Sequence, residues 1–317
     1  MKKIFSKQTF KDGLTIFKGA LKGFSEDKAM KLSASLAYYT IFSLGPLLLL
    51  VISLGGFFLG KDAIQGQVFA EINGLVGNQA AKQIQDMIKN LELSGKTGIS
   101  IAIGVVTLLV GATTVFGEMQ DSINMIWKVK AKPKRGWVKL LKDRFLSSSL
   151  IISLGFLLVV SLLINGAVLA MSDRLKSFFP DITVLLFNLI NAAISFIVIA
   201  VLFGIIFKVL PDVKIKWKDV RAGAIFTAVL FLIGRVVIGI YIEKSSTGSA
   251  YGAAGSLIVI LLWVYYTAAI LYFGAEFTQA YASFTGAAIE PADYAVHVEQ
   301  KETEKDVDVL PPQNMAE

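Results

Sequence analysis

Eight polar side chains that could do chemistry fall within or at the ends of long apolar stretches. The plainest is Arg235, in FLIGRVVIGIY. An ionisable group near a bilayer centre costs about 2.5–3.5 kcal/mol on insertion scales, so it needs a partner or a watery cavity. Arg235 lies 14 residues past Arg221, about 20 Å along a helix axis from the lysine-rich side. Asn165, Asn188 and Asn191 reach a similar depth in other apolar stretches, and the last two share a face at i, i+3. Arg235 is therefore expected to face the interior near one of them. Two readings of the group are open. It is a polar site or substrate path facing outward, or it is glue between helices, with Arg235 held by asparagine and carbonyl oxygens or snorkelling.

The other four candidates belong to the lysine-rich side. Glu118 ends one apolar stretch and Glu276 ends another; Tyr39 stands near the start of a third, and Tyr266 lies deeper. If they converge on a cavity, a partly desolvated carboxyl could exchange a proton during transport. The competing reading makes both glutamates interfacial, paired with Lys31 or the basic loops. Pro46, downstream of Ser33, Ser35, Tyr38, Tyr39, Thr40 and Ser43, is a candidate kink.

Other chemistries lack residues. There is no cysteine and one histidine, His297, in a polar segment. No carboxylate cluster has metal-ligand spacing. GKTGIS, residues 95–100, lacks the upstream glycine of a phosphate-binding loop and runs into apolar helix. The expectation is a protein that is not an enzyme, with no catalytic residues, no metal, no cofactor and no nucleic-acid partner.

Long helices must position the eight residues. The chain is 55% hydrophobic and only 17% charged over 317 residues, against about 25% charged in soluble domains. Stretches long enough to span a bilayer are Leu32–Leu59, Gly98–Met119, Leu146–Met171, Ile182–Val209, Ala222–Ile242 and Gly252–Ala275, the last continuing as helix towards Phe284. The fold class is all-α: a polytopic membrane protein with six transmembrane helices and amphipathic N-terminal and outer-face helices. Eight lysines precede the first span, and eight basic residues lie between Lys128 and Arg144. Lys214, Lys216, Lys218 and Arg221 follow the fourth span, whereas the alternate loops are poor in positive charge or balanced by acids. Basic loops stay inside, so both termini are expected in the cytoplasm.

Three regions flank or interrupt the spans. Residues 1–31 are a cytoplasmic amphipathic segment with Phe10, Leu14, Phe17, Leu21 and Phe24 on one face. It either lies on the anionic inner leaflet or packs against the bundle's cytoplasmic end. Residues 61–97, within the 32–284 membrane domain, read as an outer-face helical hairpin broken at Gly77–Asn78. Residues 285–317, acidic and without apolar periodicity, read as a disordered cytoplasmic tail. A GxxxG pair, Gly56 and Gly60, is a weak packing signal.

Four segments in order carry a resemblance: LSASLAYYTIFSLGPLLLL, MQDSINMIWKVKAKPKRGW, LPDVKIKWKDVRAGAIFTAVLF and YGAAGSLIVILLWVYYTAAILYFGAEFTQAY. From about Lys28 to Tyr281 the chain resembles the YihY/BrkB family of bacterial inner-membrane proteins. The resemblance implies a multi-pass inner-membrane protein, with no settled activity among its relatives. Some members carry a ribonuclease label, which the residues here argue against, and others a virulence label. The polar groups within the spans favour a transporter of a small solute or lipid-like molecule. The alternative is a non-transporting scaffold or assembly factor for envelope biogenesis.

Overall fold

The computed structural model describes residues 7–76, 78–94, 98–132, 180–244 and 254–299. The expected third span, with Asn165, lies outside these residues. Eight helices run through the described chain: α1 (Lys7–Glu26), α2 (Ala29–Leu59), α3 (Lys61–Val76), α4 (Asn78–Ser94), α5 (Gly98–Ile126), α6 (Pro180–Val209), α7 (Trp217–Lys244) and α8 (Gly255–Phe284). Among the described residues, Ala192–Val209, Trp217–Ile242 and Gly255–Phe284 are long and apolar enough to cross a membrane. Their outer faces are apolar too: Leu189, Ile197 and Val201 on α6, and Ile225, Val229, Ile233 and Ile240 on α7, are exposed. So much exposed apolar surface suits lipid and not water.

Helix ends explain several features. α2 is unbroken through Pro46 and stops at Gly60, whose φ of 86° favours glycine and whose N–H donates to Gly56 O. Gly60 therefore serves to end α2, which accounts for one half of the GxxxG pair. α5 runs seven residues past the Met119 expected for its span, to Ile126, and carries Gln120 and Asn124 beyond the apolar stretch.

Two apolar clusters fill the bundle. One joins Leu36 of α2, Phe116 and Ile123 of α5, Phe203 and Phe207 of α6, Ala224 of α7 and Tyr272 of α8. The other, towards the opposite end, joins Ile52 of α2, Ile64 of α3, Ile84 and Ile88 of α4, Ile238 of α7 and Trp263 of α8. The expected hairpin at 61–97 is thus a pair of helices, α3 and α4, packed on the bundle.

α7 and α8 cross closely because two glycines admit two threonines. Thr227 Oγ1 donates to Gly223 O at 2.7 Å. Thr278 Oγ1 donates to Gly274 O at 2.7 Å. Each threonine packs on the glycine of the opposite helix: a Cβ on Gly223 would stand 3.1 Å from Thr278 Cα, and one on Gly274 would stand 2.9 Å from Thr227 Cβ. Small residues permit such contact, and the hydroxyls are satisfied within their own helix.

One expectation is corrected here. Short strands accompany the helices, and the segment from 285 is not disordered throughout. β1 (Val129–Ala131) pairs antiparallel with β4 (Ala295–His297), and β2 (Val213–Lys214) pairs with β3 (Glu290–Pro291). These ladders are too short for periodicity to reveal. Their order comes from the bundle, which brings the ends of α5 and α6 to where the chain leaves α8. Residues 300–317 lie outside the described chain.

The amphipathic segment is a helix that packs against the bundle. Its inward stripe is Ile16 and Ala20, both buried, with Gly19 against Ala280. Phe17 and Phe24 meet Phe273 edge-to-face, each with ring centroids 5.6 Å apart. Leu14 and Leu21, on the expected apolar face, stay exposed.

Candidate functional site

The described polar chemistry gathers at the end of the bundle where α1, α5, the α6–α7 turn and the strands meet. One node is Asp212, only 2% exposed. Asn124 Nδ2 donates to Asp212 Oδ2 at 2.9 Å, and Gln120 Nε2 donates to Oδ1 at 3.2 Å. Tyr294 OH donates to Oδ1 at 2.8 Å. The backbone N–H of Asp212 donates back to Asn124 Oδ1 at 2.8 Å, and its carbonyl accepts from Ala292 N at 2.9 Å. A buried carboxylate needs such donors. With them, Asp212 ties α5 to the α6–α7 turn and to the segment between β3 and β4.

The second node is Glu276, on α8 and 2% exposed. The missing side chain of Gly23 makes room for it: a Cβ there would lie 3.0 Å from Glu276 Cδ. Among the described residues no N–H or hydroxyl donor reaches its Oε1. The Asp27 carboxyl lies within hydrogen-bonding reach. Asp27, its side chain 8% exposed, forms an ion pair with Lys128. Lys128 adopts a left-handed turn, φ 53°, just beyond α5. Its carbonyl accepts from Val298 N at 2.9 Å, so the C-terminal strand helps to hold it.

A cleft of about 750 Å³ opens at this end, lined by Asp27, Asn124, Lys128 and His297 among others. Asp27 thus adjoins both the cleft and the buried Glu276. The arrangement can carry a proton or hold a positively charged group. None of the eight sequence candidates lines the cleft.

The candidates disperse. Glu276 is buried at the carboxyl node, and Glu118 of α5 is half-buried within electrostatic reach of Tyr272, one turn before Glu276 on α8. Tyr39 packs on the first apolar cluster and stacks edge-to-face on Tyr38, with centroids 5.6 Å apart. Tyr266 packs on the second cluster, against Gly234. The tyrosines therefore do not meet the two glutamates around one described cavity. Arg235 is exposed, where the sequence places it inside. The buried stripe of α7 is Ala224, Thr227, Ala228, Gly234 and Ile238. Arg235 follows Gly234 by one position, about 100° round the helix, and so leaves that stripe. Asn188 and Asn191 lie on α6, the helix packed against α7. Asn165 is outside the described residues.

The sequence reading missed Asp27, Asn124, Lys128 and Asp212. Faint signals exist. Asp212 sits between apolar neighbours in LPDV, and Glu26–Asp27 is an acidic pair in a lysine-rich segment. Both lie in segments whose lysines and arginines report topology.

Comparison with known proteins settles the family. The sequence pattern described as Virulence factor BrkB matches residues 20–295. The chain belongs to the Virulence factor BrkB family. It is similar to a UPF0761 membrane protein of Stenotrophomonas maltophilia, 26% identical, covering 82% of this chain and 59% of that protein. A UPF0761 membrane protein of Alcanivorax borkumensis is 27% identical, covering 83% and 59%. One of Pseudomonas aeruginosa is 27% identical, covering 85% and 63%. The chain thus spans about three-fifths of the length of these curated relatives. No solved structure matches it significantly. This is a helical bacterial membrane protein of the BrkB family.

Proposed function

We propose that this BrkB-family protein is a six-span inner-membrane transporter of a small solute or lipid-like molecule, with both termini in the cytoplasm. It works without a cofactor and is not an enzyme. One observation carries the reading: a cleft of about 750 Å³ reaches Asp27, whose carboxyl adjoins that of Glu276 buried in the bundle. Buried ionisable groups in membrane helices are costly and tend to mark solute or proton paths. In this orientation Leu14 and Leu21, exposed among lysines on α1, touch the anionic inner leaflet.

The test is the purified protein in liposomes, against a panel of inorganic ions, sugars, amino acids and labelled phospholipids. At least one should cross faster than in protein-free liposomes, and the gain should fall in Glu276→Gln. If none crosses faster, the transporter reading is wrong and the envelope scaffold takes its place. Orientation is tested separately. A reporter active only outside the cytoplasm should be silent after Glu317 and active when inserted between Lys61 and Thr97.

A further inference from the structure

We propose that Glu276 and Asp27 form a proton-exchange site in which Lys128 balances the pair's negative charge and the cleft supplies the water. This deepens the transport reading by naming its coupling group, and only the coupling rests on that reading.

Three features of the packing support the site. First, Glu276 is 2% exposed, and no N–H or hydroxyl donor reaches its Oε1 among the described residues. Asp212, the other deeply buried carboxylate at this end, has Asn124, Gln120 and Tyr294 as donors. A buried carboxylate oxygen left without a donor is disfavoured, whereas a carboxylic acid there is tolerated. Second, the polar group that reaches Glu276 is another carboxyl, Asp27. Two carboxyls in hydrogen-bonding reach are held together by a shared proton, since like charges this close cannot both be present cheaply. Third, one cation is at hand for the remaining charge. Lys128 pairs with Asp27 and also lines the cleft.

The charged groups acting on Glu276 are Asp27 from the turn after α1, Glu26 at the end of α1 and Lys128 beyond α5. Glu118 of α5 acts one turn back along α8, at Tyr272. Acids outnumber the single lysine, which favours keeping a proton in the cluster. Release then runs outward. The O–H bond of Glu276 breaks, its proton passes to an oxygen of Asp27, and Asp27 passes a proton to water in the cleft. The Glu276 carboxylate left behind draws in either another proton or a substrate bearing a positive charge or hydrogen-bond donors. That alternation is how a proton and a solute would exchange.

Gly23 sets the geometry. Any side chain there would push into the Glu276 carboxyl. The turn carrying Asp27 follows directly, so the close approach of α1 to α8 brings the second carboxyl to the first.

The experiment reads the proton without needing a substrate. The protein in liposomes is examined by infrared difference spectroscopy between neutral and alkaline pH. The expected result is a carboxylic-acid carbonyl band at neutral pH that disappears on alkalinisation. It should be absent in Glu276→Gln and shifted in frequency in Asp27→Asn. Lys128→Met should make the band persist to higher pH, because the cation that favours ionisation is gone. No such band in the wild type, or one unchanged in Glu276→Gln, overturns the proposal whatever the solute assays show. A band that obeys these expectations upholds the site even if no solute on the panel moves, in which case the transport reading alone fails.

Discussion

Replacing Gly223 by alanine tests the tight crossing of α7 and α8, and Gly239 on the same helix is its control. A Cβ at Gly223 would lie 2.8 Å from Thr278 Cβ and 3.1 Å from Thr278 Cα, whereas at Gly239 it meets nothing within 4 Å. Alanine is favoured over glycine in a helix by about 1 kcal/mol, and that gain is common to both sites. The difference between the variants is therefore the cost of overpacking alone, about 1–3 kcal/mol. The upper part of that range is expected, because backbone and not a flexible chain end must move. Gly239→Ala should be somewhat more stable than wild type, and Gly223→Ala clearly less stable than Gly239→Ala. Unfolding of the purified protein in mixed micelles, followed by circular dichroism, measures the difference. Adding Thr278→Gly to Gly223→Ala should recover much of the loss, a coupling expected of residues in contact. Equal stability of the two alanine variants would refute the crossing described here.

Tyr294→Phe removes one donor from the Asp212 carboxylate and should cost about 1.5–3 kcal/mol of local stability. It should be seen as faster amide exchange at Ala292 and Val298, with exchange in α7 and α8 unchanged. Asn124→Ala should cost more than Gln120→Ala in thermal unfolding, because Asn124 makes two bonds with Asp212 and Gln120 makes one longer bond. Lys214→Ala should leave the unfolding midpoint nearly unchanged, since its pair with Asp293 is exposed. Asp293 holds the Lys214 ammonium above the usual lysine range. The contact is therefore present at neutral pH and is lost only as pH rises through that raised value, which a pH series of amide exchange around β2 and β3 would follow. Gly23→Ala should loosen α1 from α8 and speed proteolysis after Lys22, because its Cβ overlaps the Glu276 carboxyl.

Apolar stretches and basic loops were legible along the chain because each is a local property. Twenty apolar residues in a row have few other fates. The helices α2, α5, α6, α7 and α8 stand where five of the stretches predicted them, and α1, α3 and α4 where amphipathic periods did. Glu276 stood out as a carboxylate at the end of an apolar run. What it faces did not. Asp27 is far from it in sequence and meets it only because Gly23 lets α1 lie on α8. The rotation of α7 about its axis was equally hidden. Its residues are apolar nearly all round, so no moment marks the inward side, and the glycine–threonine contacts with α8 turn Arg235 out. The acidic segment after Ile289 lacks any period, yet it forms β3 and β4. Strands of two and three residues leave no pattern in a sequence, and these exist because Asp212 and the backbone of Lys128 bind them. The sequence alone determined which segments are helical and apolar; only the packing of helices against one another decided which carboxylates are buried and which groups reach them.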